Sequence, residues 1–471
     1  MPKPVLRQRR LTTNNCYNAT LPKIAVVRGS GFGEGATMAQ CGRDSATWAA
    51  WRVLTWNRAT CIAFAVLGAS TLHAATITVA NSLDSGAGSL RDAVALANPG
   101  DTINFAPGLS GSAITLTSGE VLIDKNLTIT GLGATALALS GSNVSRVFNV
   151  SGGTVFISGL TIRNGLGGNG GGGGIYNAGT LSLSSSTVSE NSAFQLIPGS
   201  FCGGVGTNGG GIYNAGTLIL SDSTISGNGS FGNCGGGFGG GIYNHPQGTL
   251  TVSKSTLTGN SSALGGGIYN DGTVVSGGTV MLSNSTVSAN GAAIPGAGGG
   301  IFNASQGPDK LILTNTTITN NGALGGSGIA SLGTFAVAFA GNNNIIAGNT
   351  GSADIDGPFS GIHNIVGTTA NLVLGPLANN GGPTLTHALL AGSVAAIGQG
   401  DLTTCTTAPV NGVDQRGLPR GPIACSIGAY EPQNGTPPSM PAIPALSNLM
   451  LALLGALLAG CGAQMYRGRS T

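Results

Sequence analysis

Apolar and polar residues alternate with a period of two in a phrase that recurs through the middle of the chain. Residues 172–191 read GGGIYNAGTLSLSSSTVSEN, and related copies end at Asn228, Asn260, Asn290 and Asn321. A period of two is typical of β-strands, because successive side chains point to opposite faces. The Gly runs between the alternating segments indicate sharp corners. The pattern therefore predicts short strands that are joined by Gly or Asn corners.

The phrases are constant but their spacing is not. The aromatic residue of each copy is Tyr176, Tyr213, Tyr243, Tyr269 or Phe302, so successive copies lie 37, 30, 26 and 33 residues apart. A fixed rung with loops of variable length explains this irregularity. Three short strands per repeat would form one turn of a coil, and each strand would pair with its equivalent about 4.8 Å away in the next turn. We predict an all-β solenoid of about ten turns, roughly 50 Å long.

In such a coil the repeated residues stack into columns. The five aromatic rings predict an interior or edge stack, and a sugar-binding stripe is the alternative. Stacked asparagine amides can hydrogen-bond along a ladder and satisfy the backbone at the corners, which favours a structural role over ligand binding. The two asparagine columns are Asn177, Asn214, Asn244, Asn270 and Asn303, and Asn191, Asn228, Asn260, Asn290 and Asn321.

A short helix is predicted to cover the N-terminal edge of the coil, which would otherwise expose unpaired strands. Ser89 is a suitable N-cap, and Asp92 completes a capping box in place of the usual Glu. Pro99 and Gly100 end the helix. We interpret the neighbouring Arg91 and Asp92 as surface structure. The predicted apolar stripe consists of Leu90, Ala93, Val94 and Ala97.

Both ends of the chain have the pattern of export and anchoring segments. Residues 59–75 form a short apolar stretch that ends in small residues and follows Arg52 and Arg58, as in a secretory signal. Met38 is then a plausible start, and a short core helix is the alternative for residues 59–75. A Pro-rich linker spans residues 432–442. Residues 443–462 are apolar and about as long as a membrane helix requires, and the basic residues that follow, Arg467 and Arg469, predict a cytoplasmic end.

The C-terminal string IPALSNLMLALLGALLAGCG resembles the IPTL-type sorting signal of Gram-negative bacteria. Ala445 stands where that family usually has Thr. The resemblance implies partners in the export machinery and a sorting protease, and attachment to the inner membrane through the helix; a permanent single-span anchor is the alternative. The protein would then be anchored in the membrane or displayed at the cell surface. The matching motif residues are Ile443, Pro444, Leu446 and Ser447.

Two further resemblances concern the body of the protein. Residues 88–105 (GSLRDAVALANPGDTINF) resemble the CSLREA-type segment of secreted β-helix proteins, with Gly88 in place of Cys and Asp92 in place of Glu. Residues 165–350 resemble the repeats of chlamydial polymorphic outer-membrane proteins and of adhesins with pectate-lyase-like β-helices. This resemblance implies a right-handed parallel β-helix at a cell surface, which we place in residues 76–350.

The segment that follows the repeats resembles the choice-of-anchor Q domain. The matching strings are IDGPFSGIHNIVG from Ile355, NNGGPTLTHALLAGSVAAIGQGD from Asn379 and DQRGLPRGPIACSIGAYE from Asp414. The resemblance implies a C-terminal cap over residues 351–431 that joins a surface protein to an anchor. Ser426 stands where the family commonly has Asp, so one polar contact is expected to be missing.

Composition and charge narrow the function. Only 7% of the 471 residues are charged and 84 are Gly. Nine of the 19 basic residues but only two of the 16 acidic residues lie in residues 1–75, so the remainder has ten basic and 14 acidic residues. Between Arg163 and Arg416 the only cations are Lys254 and Lys310. Nucleic-acid binding needs clustered cations against phosphates, so we exclude it.

Five cysteines remain after the predicted signal, and export permits disulfides. Cys405 and Cys425 both lie in the predicted cap and are expected to pair. Cys202 and Cys234 lie in Gly-rich loops one rung apart, so stacking could bring them within the roughly 6 Å that a disulfide spans. A zinc site is the alternative, but the sequence has no CxxC motif or neighbouring His pair. The fifth cysteine is Cys461, in the apolar C-terminal segment.

The sequence contains no convincing catalytic cluster. The acidic residues of the repeats form no column, whereas a lyase needs grouped carboxylates or a cationic base. Asp354, Asp356 and His363 are the remaining candidates, since two carboxylates on one strand face could act as in a glycosidase, but they coincide with the cap pattern, which favours a turn or cap role. The acidic residues in question are Glu190, Asp222, Asp271 and Asp309.

We therefore predict a non-enzymatic, exported cell-surface β-helix protein without a cofactor, used for adhesion or display, with a surface glycan or protein as its ligand. A polysaccharide lyase or glycoside hydrolase on the same fold is one alternative. A carbohydrate-binding protein is the other.

Overall fold

The computed structural model describes residues 74–433, except residues 169, 195–206, 233–235, 273–276, 295–296, 306–309, 324–326, 332–338 and 352. The predicted signal peptide, linker, apolar C-terminal segment and sorting motif lie outside these ranges. Within them, no helix has the length and apolar character that a membrane crossing requires.

The chain winds into a parallel β-solenoid of the right-handed type, which confirms the predicted fold. One rung contains Ile175–Asn177, Thr180–Ser184, Thr187–Ser189 and Ser192–Ala193. These strands belong to four different sheets, which we call C, A, B and D, and each pairs in parallel with its equivalents in the adjacent rungs. The structure thus has a fourth strand per rung over part of its length, where the sequence predicted three.

The strands stack in order along each sheet. Sheet A consists of Thr76–Val79, Thr102–Phe105, Leu127–Thr130, Thr154–Ser158, Thr180–Ser184, Thr217–Ser221, Thr249–Ser253, Thr279–Ser283, Leu311–Thr314, Phe339–Asn342 and Phe359–Ser360. Sheet B consists of Ser112–Thr115, Leu137–Ser140, Thr161–Arg163, Thr187–Ser189, Thr224–Ser226, Thr256–Thr258, Thr286–Ser288, Thr317–Thr319, Ile345–Ile346 and Ile365–Val366. Sheet C consists of Val121–Ile123, Phe148–Val150, Ile175–Asn177, Ile212–Asn214, Ile242–Asn244, Ile268–Asn270, Gly298–Asn303, Ser327–Ser331 and Ile355–Asp356. Sheet D consists of Leu166–Gly167, Ser192–Ala193, Gly229–Ser230, Ser261–Ser262, Gly291–Ala292 and Gly322–Ala323.

The apolar core runs along the inside of the coil. In one rung Ile175, Leu181, Leu183 and Val188 are fully buried, while the alternating positions within the strands, such as Ser182 and Ser189, point outward. Full burial of one such side chain contributes roughly 1.5–3 kcal/mol. Because a single rung cannot enclose these side chains, the stability of each rung depends on the rungs on either side.

The predicted N-terminal lid is present as helix α1, Leu90–Leu96. Ser89 is its N-cap, and the Ser89 hydroxyl accepts a hydrogen bond of 3.2 Å from the backbone N–H of Asp92. Arg91 forms its ion pair with Asp84, 2.9 Å away, and also donates to backbone carbonyls at Gly119 and Glu120. The helix is thereby fixed to the first rungs. The predicted stripe, Leu90, Ala93, Val94 and Ala97, is buried.

Both predicted asparagine ladders form inside the coil. In the first, each side-chain amide from Asn177 to Asn270 donates to the Oδ1 of the next asparagine at 2.8 Å. In the second, which begins at Asn191, the corresponding distances are 2.8–2.9 Å, and the ladder continues beyond Asn321 to Asn349. Apart from Asn349, which is partly exposed, these amides are almost completely buried, so the ladders satisfy groups that would otherwise destabilise the core.

The GGG part of the repeat leaves room for the second ladder. A β-carbon on Gly241 would lie 3.1 Å from the Cγ of Asn260 and 2.6 Å from the carbonyl oxygen of Gly267. The matching glycine of the next rung, Gly267, meets Asn290 in the same way. The last Gly of the phrase is therefore required because an asparagine amide packs directly against it.

The corner between sheets A and B uses one residue in the left-handed region in each rung. Only some of these residues are the Asn or Gly that we predicted. Backbone hydrogen bonds between adjacent rungs hold the others in this conformation. The corner residues are Ser185, Asp222, Lys254, Asn284, Asn315 and Asn343, with φ between 45° and 59°.

The C-terminal segment folds back along the outer face of sheet B. We call residues 372–431 the strap; it contains an antiparallel hairpin, Leu374–Ala378 with Thr386–Leu389, and helix α2, Leu402–Thr406. The hydroxyl groups of Thr256 and Thr286 donate to the strap at 2.6 Å each.

The last rung, which contains Ile355–Asp356, Phe359–Ser360 and Ile365–Val366, lies beyond the boundary that we placed at residue 350. The segment predicted as a cap thus supplies both the end of the coil and a lateral strap.

One disulfide holds the strap. Cys405 and Cys425 are bonded, with their Cα atoms 6.5 Å apart, which confirms the predicted pair. Both cysteines are fully buried. The predicted pair Cys202–Cys234 lies outside the described residues.

Candidate functional site

The aromatic residues of the repeats form one column on the outer face of sheet C. In each strand Ile and Asn point into the coil and the aromatic residue between them points outward. The ring centroids are 5.2 Å apart for Tyr176 and Tyr213, 4.8 Å for Tyr213 and Tyr243, 5.6 Å for Tyr243 and Tyr269, and 5.3 Å for Tyr269 and Phe302. The predicted stack exists and lies outside the coil.

Loops cover the later part of this column. Phe238 stacks on Tyr269 at 4.7 Å, and small residues at Ala304 and Ala330 pack beside Phe302. Tyr243, Tyr269 and Phe302 are consequently buried, whereas Tyr176 and Tyr213 are half-buried. The column is thus a second, external apolar cluster that is open at its N-terminal end.

The stacked arrangement decides what the column can bind. A sugar ring stacks on the face of an aromatic ring, but here the faces are occupied by neighbouring rings. Tyr176 is the first ring of the column, and the Arg146 guanidinium lies over it, 5.3 Å from the ring centroid. The column therefore presents edges and hydroxyl groups, and it is not the face-stacking sugar stripe considered from the sequence.

Asp271 is the charged neighbour of the column, and the Tyr243 hydroxyl donates a hydrogen bond to it. Burial is the main reason that the pKa of Tyr213 is raised to about 12, and the neighbouring Tyr176 and Asp271 add to this effect. Burial and Asp271 likewise raise the pKa of Tyr269 to about 12. These phenols stay protonated at neutral pH, so they act as hydrogen-bonding groups and not as bases.

A polar cluster lies beside the half-buried rings at the N-terminal end of the column. Arg146 donates to Glu120 at 2.6 Å and to the carbonyl oxygens of Gly171 and Gly172. Asn149, which precedes Tyr176 in the outward column, donates to the same carboxylate at 2.7 Å. These contacts tie three rungs together, and sequence reasoning missed them because the partners are 25 to 29 residues apart.

The structure does not bring the three catalytic candidates together. Asp354 lies at the end of the second asparagine ladder, where its Oδ1 accepts from Asn349. Asp356 is exposed on the outer face of sheet C, and His363 is exposed at a turn with φ 53°. No hydrogen bond or ion pair among the described side chains joins any two of the three. They occupy structural or isolated positions.

The strap contains a buried ionic network that the sequence reasoning also missed. Arg416 donates to Asp414 at 2.7 Å and lies 3.8 Å above the ring of Tyr430. Arg420 lies 3.5 Å from Glu431 and also donates to Asn284 on the solenoid at 2.8 Å. Burial lowers the pKa of Arg420 to about 10, although the nearby carboxylates oppose this effect. The guanidinium therefore remains charged and joins the strap to the coil.

Ser426 belongs to the same network. Its hydroxyl and its backbone N–H donate to the two carboxylate oxygens of Glu431, at 2.9 Å and 2.7 Å. The contact that an Asp would make at this position stays untested, but the serine is not without a partner, because its hydroxyl is a donor that Glu431 accepts from directly.

Among the described residues, no three His, Cys, Asp or Glu side chains lie close enough together to hold a metal ion. The described residues also form several clefts. One of about 380 Å³ lies in the strap beside Arg420 and Glu431. One of about 290 Å³ lies between α1 and sheet C beside Leu122, and one of about 200 Å³ lies on sheet B beside Arg163.

Comparison with known proteins gives no family. No family model matches the chain, and no curated protein matches it. Among solved structures, the crystal structure of pectate lyase Pel9A is similar, with 14% sequence identity and a TM-score of 0.46 over 76% of this chain and 98% of that chain.

Proposed function

We propose that this protein is a non-enzymatic β-solenoid that is exported and displayed at the bacterial cell surface. The observation that carries the proposal is the position of Asp354. This best catalytic candidate accepts two hydrogen bonds from Asn349 and so terminates a structural ladder. Its carboxylate is used to hold the last rungs together.

Other carboxylates of the solenoid have comparable structural roles. Asp222 pairs with Lys254 at 2.9 Å across adjacent corners, and Glu120 pairs with Arg146 at 2.6 Å. Asp271 accepts from the Tyr243 hydroxyl and from the backbone N–H of Gly272. A general base needs a carboxylate oxygen that faces a substrate. In these residues the carboxylate instead contacts partners within the solenoid.

Sequence features at the two ends support export and display. Residues 59–75 have the pattern of a secretory signal, and residues 443–462 with their basic tail have the pattern of a membrane anchor. The partners would be the export machinery and a sorting protease. The solenoid between them would act as a rigid stem that carries a ligand-binding face away from the membrane.

The display part of the proposal is tested on intact cells. The full-length chain is expressed in a Gram-negative host that has a sorting protease, and the cells are treated with a membrane-impermeant amine label. We expect labelling without lysis, and we expect a variant that lacks residues 443–471 to appear in the medium. Labelling that requires lysis would contradict the proposal.

The non-enzymatic part is tested with purified protein. Incubation with a panel of plant and bacterial polysaccharides should release no new reducing ends or unsaturated products. Depolymerisation that disappears in Asp354→Asn or Asp356→Asn would instead identify a polysaccharide lyase or glycoside hydrolase with its site at the end of the coil.

A further inference from the structure

Arg163 differs from the other cations of the described residues in having no partner. Arg91, Arg146, Arg416 and Arg420 each pair with a carboxylate. Within the described ranges the Arg163 guanidinium makes no hydrogen bond or ion pair, and its Nε is a buried donor without an acceptor. The three lysines also have partners: Lys125 and Lys310 donate to backbone carbonyls and Lys254 pairs with Asp222.

An unpaired buried donor is unfavourable. Leaving such a group unsatisfied costs about 1–3 kcal/mol, and more when the group is charged. Native structures therefore rarely leave one without a protein group, water or ligand to accept from it. The buried Nε atom itself is out of reach of a ligand, but the two terminal nitrogens of Arg163 also lack a partner among the described residues and are not buried, so an acceptor from outside the chain can reach them.

The sequence of the first rungs creates a cleft beside this guanidinium. Arg163 lies on the outer face of sheet B, in the column that continues to Ser189. The neighbouring outward column has Ala113 and Ala138 in its first two rungs, where later rungs have Thr. The missing side-chain volume leaves a cleft of about 200 Å³, bounded on one side by the turn that contains Thr135.

The cleft also offers hydroxyl groups. Ser112 and Thr135 line it, and neither hydroxyl makes a hydrogen bond within the described residues. Thr161, the third hydroxyl, donates to the carbonyl oxygen of Ala134, which fixes the turn. A guanidinium binds a carboxylate or sulfate with two parallel N–H donors, and hydroxyl groups suit the sugar that carries such an acid.

The size and exposure of the cleft agree with this chemistry. Pockets for drug-sized ligands measure roughly 300–1,000 Å³, so about 200 Å³ suits one acidic unit of a chain. The strap covers sheet B from Thr256 onward, through contacts such as that from Thr256 to Leu385. Among the residues that the structure describes, none from the strap hydrogen-bonds to the rungs at Arg163, Ser189 and Ser226, so a polymer could continue along the same face.

We propose that the cleft at Arg163 binds the acidic group of a glycan, a carboxylate or an ester sulfate on a single sugar unit. The proposal rests on the proposed function, because display at a surface is what brings the cleft to such a glycan. The two tests remain separate, since binding is measured on purified protein and display on intact cells.

The test is calorimetric titration of the purified full-length protein at constant, low ionic strength. The probes are D-glucuronate, D-glucose 6-sulfate and D-glucose. We expect at least one acidic sugar to bind and glucose not to bind. Binding of glucuronate alone identifies a carboxylate as the ligand group, and binding of glucose 6-sulfate alone identifies a sulfate.

Three variants locate the binding. Arg163→Gln should weaken it by about tenfold or more, since one hydrogen-bonded charge pair is lost. Arg163→Lys should weaken it less, because the charge stays while the two-pronged donor is lost. Lys254→Gln is the control: it removes one cation from the same solenoid at a corner outside the cleft and should leave binding unchanged. No binding by either acidic sugar, equal binding of glucose, or equal binding by Arg163→Gln would overturn the proposal.

Discussion

The Oδ1 atom of Asp354 accepts hydrogen bonds of 2.8 Å from both the backbone N–H and the side-chain amide of Asn349. The same two donors of Asn321 bind the Oδ1 of Asn349 one rung earlier. Asp354 thus takes the place of the next asparagine in the ladder, directly before the last strand of sheet C.

The first prediction concerns this replacement. Asp354→Asn keeps the accepting oxygen and should change the free energy of unfolding little. Asp354→Ala leaves two partly buried donors unsatisfied and should cost about 1–3 kcal/mol. Urea unfolding of both variants measures the difference. Equal destabilisation by the two substitutions would show that the carboxylate charge, and not the ladder geometry, is what matters.

The middle of the ladder should be more sensitive. Asn260 donates to Asn290 and to the carbonyl oxygen of Ile225, and it accepts from the backbone and side chain of Asn228. Asn260→Ala should therefore cost about 3 kcal/mol or more. Asn371→Ala, at an exposed turn, is the matched control and should have little effect on the midpoint of urea unfolding. A small effect at Asn260 would mean that water enters and replaces the amide.

One corner residue should be improvable. Ala289 is exposed and has φ 57°, whereas Gly227 and Gly259 occupy the equivalent corners of the two preceding rungs. A β-carbon disfavours this conformation, so Ala289→Gly should stabilise the protein by about 0.5–1 kcal/mol. The control is Ala215→Gly, at a turn residue outside the left-handed region, which should be neutral or destabilising. Ala289→Gly should raise the midpoint of thermal unfolding, whereas Ala215→Gly should leave it unchanged or lower it.

Stability should also depend on pH through His387. This side chain is buried between the Ser288 hydroxyl, 2.8 Å from Nε2, and the Gly375 carbonyl oxygen, 2.7 Å from Nδ1. Burial lowers its pKa below 6.5, although the hydrogen bond to Gly375 opposes the shift. Because the unfolded chain binds the proton more readily, stability is complete above about pH 6.5 and is lost as the pH falls below it.

The measurement is the thermal midpoint between pH 8 and pH 5 for the native protein and for His387→Gln. The variant should be less stable at pH 8 but should lose less on acidification, since it has no imidazole to protonate. Parallel pH profiles for the two proteins would show that another group controls the acid sensitivity of the strap.

Local patterns in the sequence predicted the features that depend on neighbouring residues. Ser89 and the stripe from Leu90 to Ala97 identified the capping helix, because a capping box and a helical stripe are local. The period of two identified the strands, and the repetition identified the ladder at Asn191. The outward position of Tyr176 could also have been predicted, because Tyr176 lies between two residues that point inward.

The rest depended on contacts between distant residues. Ser192–Ala193 is too short to show a period, so the fourth sheet was not predicted. The pairing of Arg420 with Asn284 and the missing partner of Arg163 arise from how rungs and strap are placed side by side. The alternation in a single strand says which face a side chain occupies, but it does not say what lies against that face.

The strap has a consequence for the order in which the protein matures. Gln415 donates to the Thr256 hydroxyl, a contact between residues 159 positions apart. During synthesis from the N-terminus, the first rungs can stack as they emerge, but the outer face of the rungs near Thr256 is covered only after more than a hundred further residues have been added. The outer face of sheet B can therefore be covered only once the strap has been synthesised. A chain truncated before the strap would leave the threonine side chains of this face exposed to solvent.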